Sequence, residues 1–138
     1  MCHINCLKCN YQGTDYENNC TECNNDYIFM PDKSNNHNCV PKCKYYYYFN
    51  IIDSYSCTKI YQCPKEASLL IRSKDKCIDS CAKDNIYKYQ YSGECIEKCP
   101  ENTNIVQIFF CTKKIFFPPK SFLFVPKKKF FLVQVKMI

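Results

Sequence analysis

Up to Cys111, apolar residues come in short groups mixed with polar ones, and cysteines punctuate the pattern at regular intervals. A β-branched residue follows each leading cysteine, at Val40, Thr58, Ile78 and Ile96. Turn-formers sit within or near the end of each intervening loop, as Asp53-Ser54, Ser73 with Asp75, and Ser92-Gly93. Near the front, Asn24-Asn25-Asp26 makes a polar turn leading into Tyr27-Ile28. Segments of about thirteen residues bounded this way cannot bury a core of their own. The pattern predicts short β-hairpins with little helix, each needing a staple to persist.

The cysteines supply a period. From Cys39 they run in pairs, Cys39/Cys43, Cys57/Cys63, Cys77/Cys81 and Cys95/Cys99, followed by a single Cys111. The gaps between pairs are 13, 13 and 13 residues, with a last gap of 11, giving a repeat of 18 to 20 residues. Proline follows the second cysteine in Cys63-Pro64 and Cys99-Pro100. The front follows a related plan: Cys6-Leu7-Lys8-Cys9, ten residues, Cys20-Thr21-Glu22-Cys23, fifteen residues, Cys39. Fourteen cysteines in 138 residues mark a disulfide scaffold.

Taken together, residues 2–111 resemble the furin-like or growth-factor-receptor cysteine-rich repeat. The matching positions are Cys6, Cys9, Cys20, Cys23, Tyr27, Cys39, Cys43, Cys63-Pro64 and Cys99-Pro100. Asp26, Glu66 and Asn102 stand where that pattern has glycine; aspartate and asparagine tolerate left-handed backbone, glutamate less readily. Such repeats occur in receptor ectodomains and in cysteine-rich surface proteins of protozoa, including ciliates. The resemblance implies a small disulfide-rich, mostly β protein, with tandem hairpin modules stacked as a rod and an irregular C-terminal tail. A fold of this kind leaves the function open.

A disulfide needs Cα atoms roughly 4.4–6.8 Å apart, which the ends of a short hairpin provide. The simplest connectivity joins Cys9–Cys20, Cys23–Cys39, Cys43–Cys57, Cys63–Cys77, Cys81–Cys95 and Cys99–Cys111, leaving Cys2 and Cys6 over. A competing scheme nests Cys6–Cys20 with Cys9–Cys23, and spacing does not choose between them. Such bonds persist in oxidising space, so the expected setting is extracellular or at the cell surface. Met1–Cys6 carries no signal peptide, having neither a basic nor an apolar region. The chain is therefore expected to be a fragment of a longer secreted or surface protein.

Zinc is the main rival. Cys6-x2-Cys9-x10-Cys20-x2-Cys23 would suit a four-thiolate tetrahedral site in an intracellular protein, although the ten remaining cysteines do not repeat that spacing. Redox catalysis by either C-x-x-C needs a helix that lowers the thiol pKa, and none is readable here. Two scattered glycines, Gly13 and Gly93, exclude phosphate-cradling loops. His3 and His37, the two histidines, are expected to be solvent-exposed loop residues. No catalytic residues, metal or other cofactor are expected. The run Tyr45-Tyr46-Tyr47-Tyr48-Phe49 is expected to be a strand packing alternate rings on a neighbouring disulfide, with an aromatic contact patch as the alternative.

Charge divides the chain. The net charge of +6 combines −1 over residues 1–111 with +7 over residues 112–138, which hold seven lysines and no acid. Arg72 is the single arginine, which argues against nucleic-acid recognition. In the tail the longest charge-free stretches are six residues, Ser121–Pro126 and Phe130–Val135, too short to span a membrane. Weak attraction to an anionic membrane surface is one expectation for this segment. The other is a disordered or read-through tail rich in A/T-encoded lysine and phenylalanine. The reading is a non-enzymatic extracellular repeat module with a structural, adhesive or surface-coat role, engaging a protein or cell-surface ligand if any. A receptor ectodomain fragment binding a protein ligand and the intracellular zinc protein are the alternatives.

Overall fold

A computed structural model describes residues 1–34 and 36–114. Within these residues, twelve short strands and three single 3-10 turns make up the regular structure. The first four strands form two separate antiparallel pairs: β1 (Cys6–Cys9) with β2 (Cys20–Cys23), and β3 (Tyr27–Phe29) with β4 (Cys39–Pro41). Four hairpins follow, β5 (Tyr47–Phe49) with β6 (Tyr55–Cys57), β7 (Leu69–Ile71) with β8 (Lys76–Ile78), β9 (Tyr89–Tyr91) with β10 (Glu94–Ile96), and β11 (Thr103–Gln107) with β12 (Phe110–Lys113).

These four hairpins join into one eight-stranded sheet of order β11-β12-β9-β10-β7-β8-β5-β6. Within each hairpin the strands are antiparallel. Between hairpins they are parallel: β5 pairs with β8, β7 with β10, and β9 with β12. The first strand of each unit thus lies against the second strand of the next. The stack grows in chain order, as expected of a one-dimensional repeat.

The same contact recurs at each junction. Tyr47, Leu70 and Gln90 face Cys57, Cys77 and Cys95 within their own hairpins. Each turns its N–H outward to a carbonyl of the next unit: Tyr47 to Asp75 (2.9 Å), Leu70 to Gly93 (3.2 Å) and Gln90 to Phe109 (2.7 Å). All three acceptors have left-handed backbone, with φ of 50°, 79° and 72°. Each stands two residues before a cysteine, in Asp75-Lys76-Cys77, Gly93-Glu94-Cys95 and Phe109-Phe110-Cys111. Ser92 and Gly93 both have positive φ, as a two-residue type I′ turn requires. Phe109 is costly in this region, and its ring packs edge-on against Tyr89 at 5.8 Å.

Seven disulfides use all fourteen cysteines. Cys43–Cys57, Cys63–Cys77, Cys81–Cys95 and Cys99–Cys111 each tie the connector entering a hairpin to its returning strand, with Cα separations of 5.3 to 5.6 Å. The residue facing each second cysteine across the hairpin is not its sulfur partner. Cys23–Cys39 closes the β3–β4 unit. The expected Cys9–Cys20 bond is absent: Cys6 bonds Cys20, and Cys9 bonds Cys2. Cys9 does face Cys20 across β1–β2, but two register irregularities in this four-residue strand reorient its side chains. Cys6 and Cys20 are buried together with Cys39, and Cys9 lies at the margin of that cluster.

The core is small and lies along the middle of the stack. β7 is buried on both faces: Leu69 and Ile71 pack with Ile78, Cys81 and Cys95, while Leu70 packs with Ala67 and Cys77. A strand enclosed by parallel and antiparallel neighbours reads as continuous apolar sequence, as Leu69-Leu70-Ile71 does. β12 runs two residues beyond Cys111, so Thr112 and Lys113 still pair with Asn104 and Thr103. The other expectations for residues 112–138 concern a segment that, from residue 115 onward, lies outside the described residues.

Gly13 is required where it stands. A Cβ built on it would lie 2.0 Å from the Asn18 carbonyl oxygen. Asn18 is buried, accepts the Cys39 N–H at 2.9 Å through Oδ1 and donates to the Thr14 carbonyl at 3.1 Å. Gly13→Ala is expected to displace that loop and cost about 1–3 kcal/mol, as overpacking against fixed backbone does. The shift of the urea unfolding midpoint against the native chain measures it.

Candidate functional site

The four cysteines of the zinc alternative are not free to bind metal. Cys6, Cys9, Cys20 and Cys23 are spent on bonds to Cys20, Cys2, Cys6 and Cys39. A sulfur in a disulfide has no thiolate to offer. Among the described residues no group of three or more histidine, cysteine, aspartate or glutamate side chains could hold a metal ion. The same bonds account for both C-x-x-C segments of the redox reading. His3 departs from expectation: its side chain is only 14% exposed and its ring hydrogen-bonds the exposed Asp15 at 3.0 Å. His37 is exposed, with its ring 3.1 Å from the Cys20 carbonyl.

The tyrosine run splits by strand alternation. Tyr46 and Tyr48 pack on Ala67, Leu70 and the neighbouring Cys63–Cys77 bridge. On the other face the Tyr47 ring stacks on Tyr55, with Phe49 edge-on to both. Tyr47 is buried by this packing and the other rings of the run are half-buried. Tyr61, outside the run, is 73% exposed and edge-on to Tyr45 at 4.5 Å.

Two polar clusters give the surface its chemistry. At the junction between the β3–β4 unit and the sheet, Asp32 accepts the Tyr47 hydroxyl at 3.1 Å and pairs with Lys76 Nζ at 2.9 Å. Asp32 sits in a turn with φ of 60°, which aspartate tolerates. Burial, together with the Asp32 charge and hydrogen bond, pushes the Tyr47 phenol well above its ordinary pKa. Beside it Lys33 pairs with Asp53 at 2.9 Å and covers the Phe49 ring at 5.2 Å. Together these contacts hold the front of the chain against the first hairpin of the stack.

The second cluster centres on Asp84, which is buried. Its carboxylate pairs with Lys74 Nζ at 2.6 Å and accepts the Ile86 and Tyr87 N–H groups at 2.9 and 3.0 Å. Burial alone would raise its pKa; Lys74 and the two N–H donors overcome that and bring it down to about 2. An unfolded aspartate titrates near 3.9. A depressed folded pKa stabilises the fold above the unfolded value and loses that contribution as pH falls toward 2. Between about pH 5 and 2 the chain should lose on the order of 2 kcal/mol from this group. Asp84→Asn is expected to flatten that acid limb when urea midpoints are compared across the range.

Between these clusters lies an open groove of about 490 Å³, lined by Phe49, Asn50, Ile51, Asp53, Glu66, Ala67, Lys76, Cys77, Ile78, Asp79 and Lys83. Lys83 and Asp79 neutralise each other at 2.6 Å. Its polar lining is of mixed sign and gives no one charge of ligand a preference.

No family model matches the chain, and no curated protein and no solved structure is similar to it. Asp32, Asp84, Asn18 and the left-handed residue before each returning cysteine organise the molecule but went unmarked as sites by the sequence. A turn-former two residues before a cysteine was the available signal for Asp75 and Gly93. Phe109 carried no such signal.

Proposed function

We propose that this chain is a non-enzymatic cysteine-rich module of the furin-like or growth-factor-receptor type, serving a structural, adhesive or surface-coat role outside the cell. One observation carries the reading: every cysteine is spent on a bridge, and five of the seven bridges each close one hairpin. A small fold with so little apolar core depends on such bonds, and they persist only in oxidising compartments. The repeated hairpin with its short connectors supplies spacing and rigidity. Its partners would be proteins or cell-surface ligands rather than nucleic acid, given one arginine in 138 residues.

Mass determination of the intact protein, alkylated without reductant and again after reduction, counts its thiols. The expected result is no alkylation before reduction and fourteen additions after it. Extensive alkylation before reduction, with zinc co-purifying, would overturn the reading in favour of an intracellular metal protein.

A further inference from the structure

Among the described residues, the junction contact that builds the stack is left unmade at β11. In each earlier unit, the first-strand residue facing the returning cysteine donates its N–H to a left-handed carbonyl of the following unit. In the last unit that residue is Ile105, which faces Cys111. The Lys114 N–H donates to the Asn102 carbonyl at 3.1 Å, so the ladder alternation turns the Ile105 N–H and carbonyl to the outer edge of β11. Among the described residues nothing accepts that N–H. β7, the equivalent strand in the middle of the stack, is buried throughout, whereas Ile105, Val106 and Ile108 are 59, 63 and 79% exposed. β11 is also the longest of the described strands, and neither lysine nor proline lies along it to blunt the edge.

We propose that the outer edge of β11 is a docking site for a β-hairpin of the same cysteine-rich class on another polypeptide. Its left-handed residue, two positions before a returning cysteine, accepts the Ile105 N–H. Continuity with the three existing junctions sets this chemistry. A second copy of the chain does not supply it: the carbonyls of Asp75, Gly93 and Phe109 already accept bonds from their own stack. Its first hairpin carries the left-handed residue, Asp53, four positions before Cys57 instead of two. Residues 115–138 contain no cysteine, and so offer no residue placed two positions before a returning cysteine. The docked strand would run parallel to β11 and cover Ile105 and Val106, a form of strand addition in which main-chain bonds give affinity. The inference names the kind of partner for the module proposed above, and it rests on the oxidised fold, so the thiol count is made first on the same sample.

The probe is a synthetic peptide of residues 81–98, closed by its Cys81–Cys95 bond and carrying Gly93-Glu94-Cys95, added to the isotope-labelled full chain. Amide resonances of Ile105, Val106 and Gln107 should shift on titration, and exchange of the Ile105 amide should slow by about tenfold or more. The same peptide with Gly93→Val, which disfavours the left-handed turn, should leave those resonances in place. Ile105→Pro in the full chain removes the donor and should abolish the response; circular dichroism confirms that the variant is folded. No shift at millimolar peptide overturns the proposal, as does an equal response to both peptides or a response confined to β6. So does an Ile105 amide already protected before peptide is added, whether by residues 115–138 or, if concentration-dependent, by a second copy.

Discussion

Replacing Cys81 and Cys95 together by alanine should lower the stability of the chain by about 3 kcal/mol or more. Closing a loop of this length removes roughly that much from the unfolded state in the chain-entropy account. The sequence separation is 14, and both cysteines are buried against Leu69, Ile71 and Ile78. Losing the sulfurs therefore also opens space in the core, which adds to the loss. The bridge Cys2–Cys9 is the internal comparison, with a separation of 7 and an exposed Cys2. Alanine at both of its positions should cost distinctly less. Urea unfolding followed by far-ultraviolet circular dichroism reads both; equal losses would show that neither the longer loop nor burial of the sulfurs adds stability.

Ile71→Ala should cost about 2–5 kcal/mol, the range for truncating a fully buried aliphatic side chain. Ile71 has no exposed surface and lies in the strand covered on both faces. Ile71→Val, which removes one methylene, should cost about 0.5–1.5 kcal/mol. The distribution of the damage tests the architecture. Repeat proteins store stability in units and in nearest-neighbour contacts. Amide exchange should rise most in β7 and β8, then in β5 and β10, and least in β11 and β12. Uniform acceleration across all four hairpins would mean that the sheet opens only as a whole.

Much of this fold was legible because cysteine spacing fixes loop length, and loop length fixes which staples can form. The four hairpins of the sheet fall where the thirteen- and eleven-residue gaps place them. The alternation of the tyrosine run was legible for the same reason: a strand has two faces, and Tyr46 and Tyr48 share one. Asp26 and Asn102, residue types that tolerate left-handed backbone, do adopt it, with φ of 65° and 64°; Glu66 lies in a 3-10 turn instead. What escaped the sequence depends on contacts between distant segments. Spacing left Cys20 open to either Cys9 or Cys6, and the nested alternative named the right partner for Cys20 but the wrong one, Cys23, for Cys9. Only the irregular register, set by a strand of four residues, gives Cys20 to Cys6. Asp84 looked like one acid among thirteen until folding brought Lys74 and two backbone donors around it. The parallel pairing between hairpins had no signal at all, because a single bridge per junction leaves no periodicity to read.

The bridges also decide how the chain would carry a pulling force. Each loop from Cys43–Cys57 to Cys81–Cys95 is shorted by sulfur across a sequence separation of 14. Tension entering at one end passes through the sulfurs and bypasses the hairpins. Only the connectors between bridges can pay out, and these are five residues between Cys57 and Cys63 and three each between Cys77 and Cys81 and between Cys95 and Cys99. At about 3.5 Å per extended residue, a severed loop would release a further length of some 40–50 Å that the intact bond withholds. The molecule is thus a nearly inextensible strap under oxidising conditions, and a reductant would turn it into a slack tether without cutting its backbone.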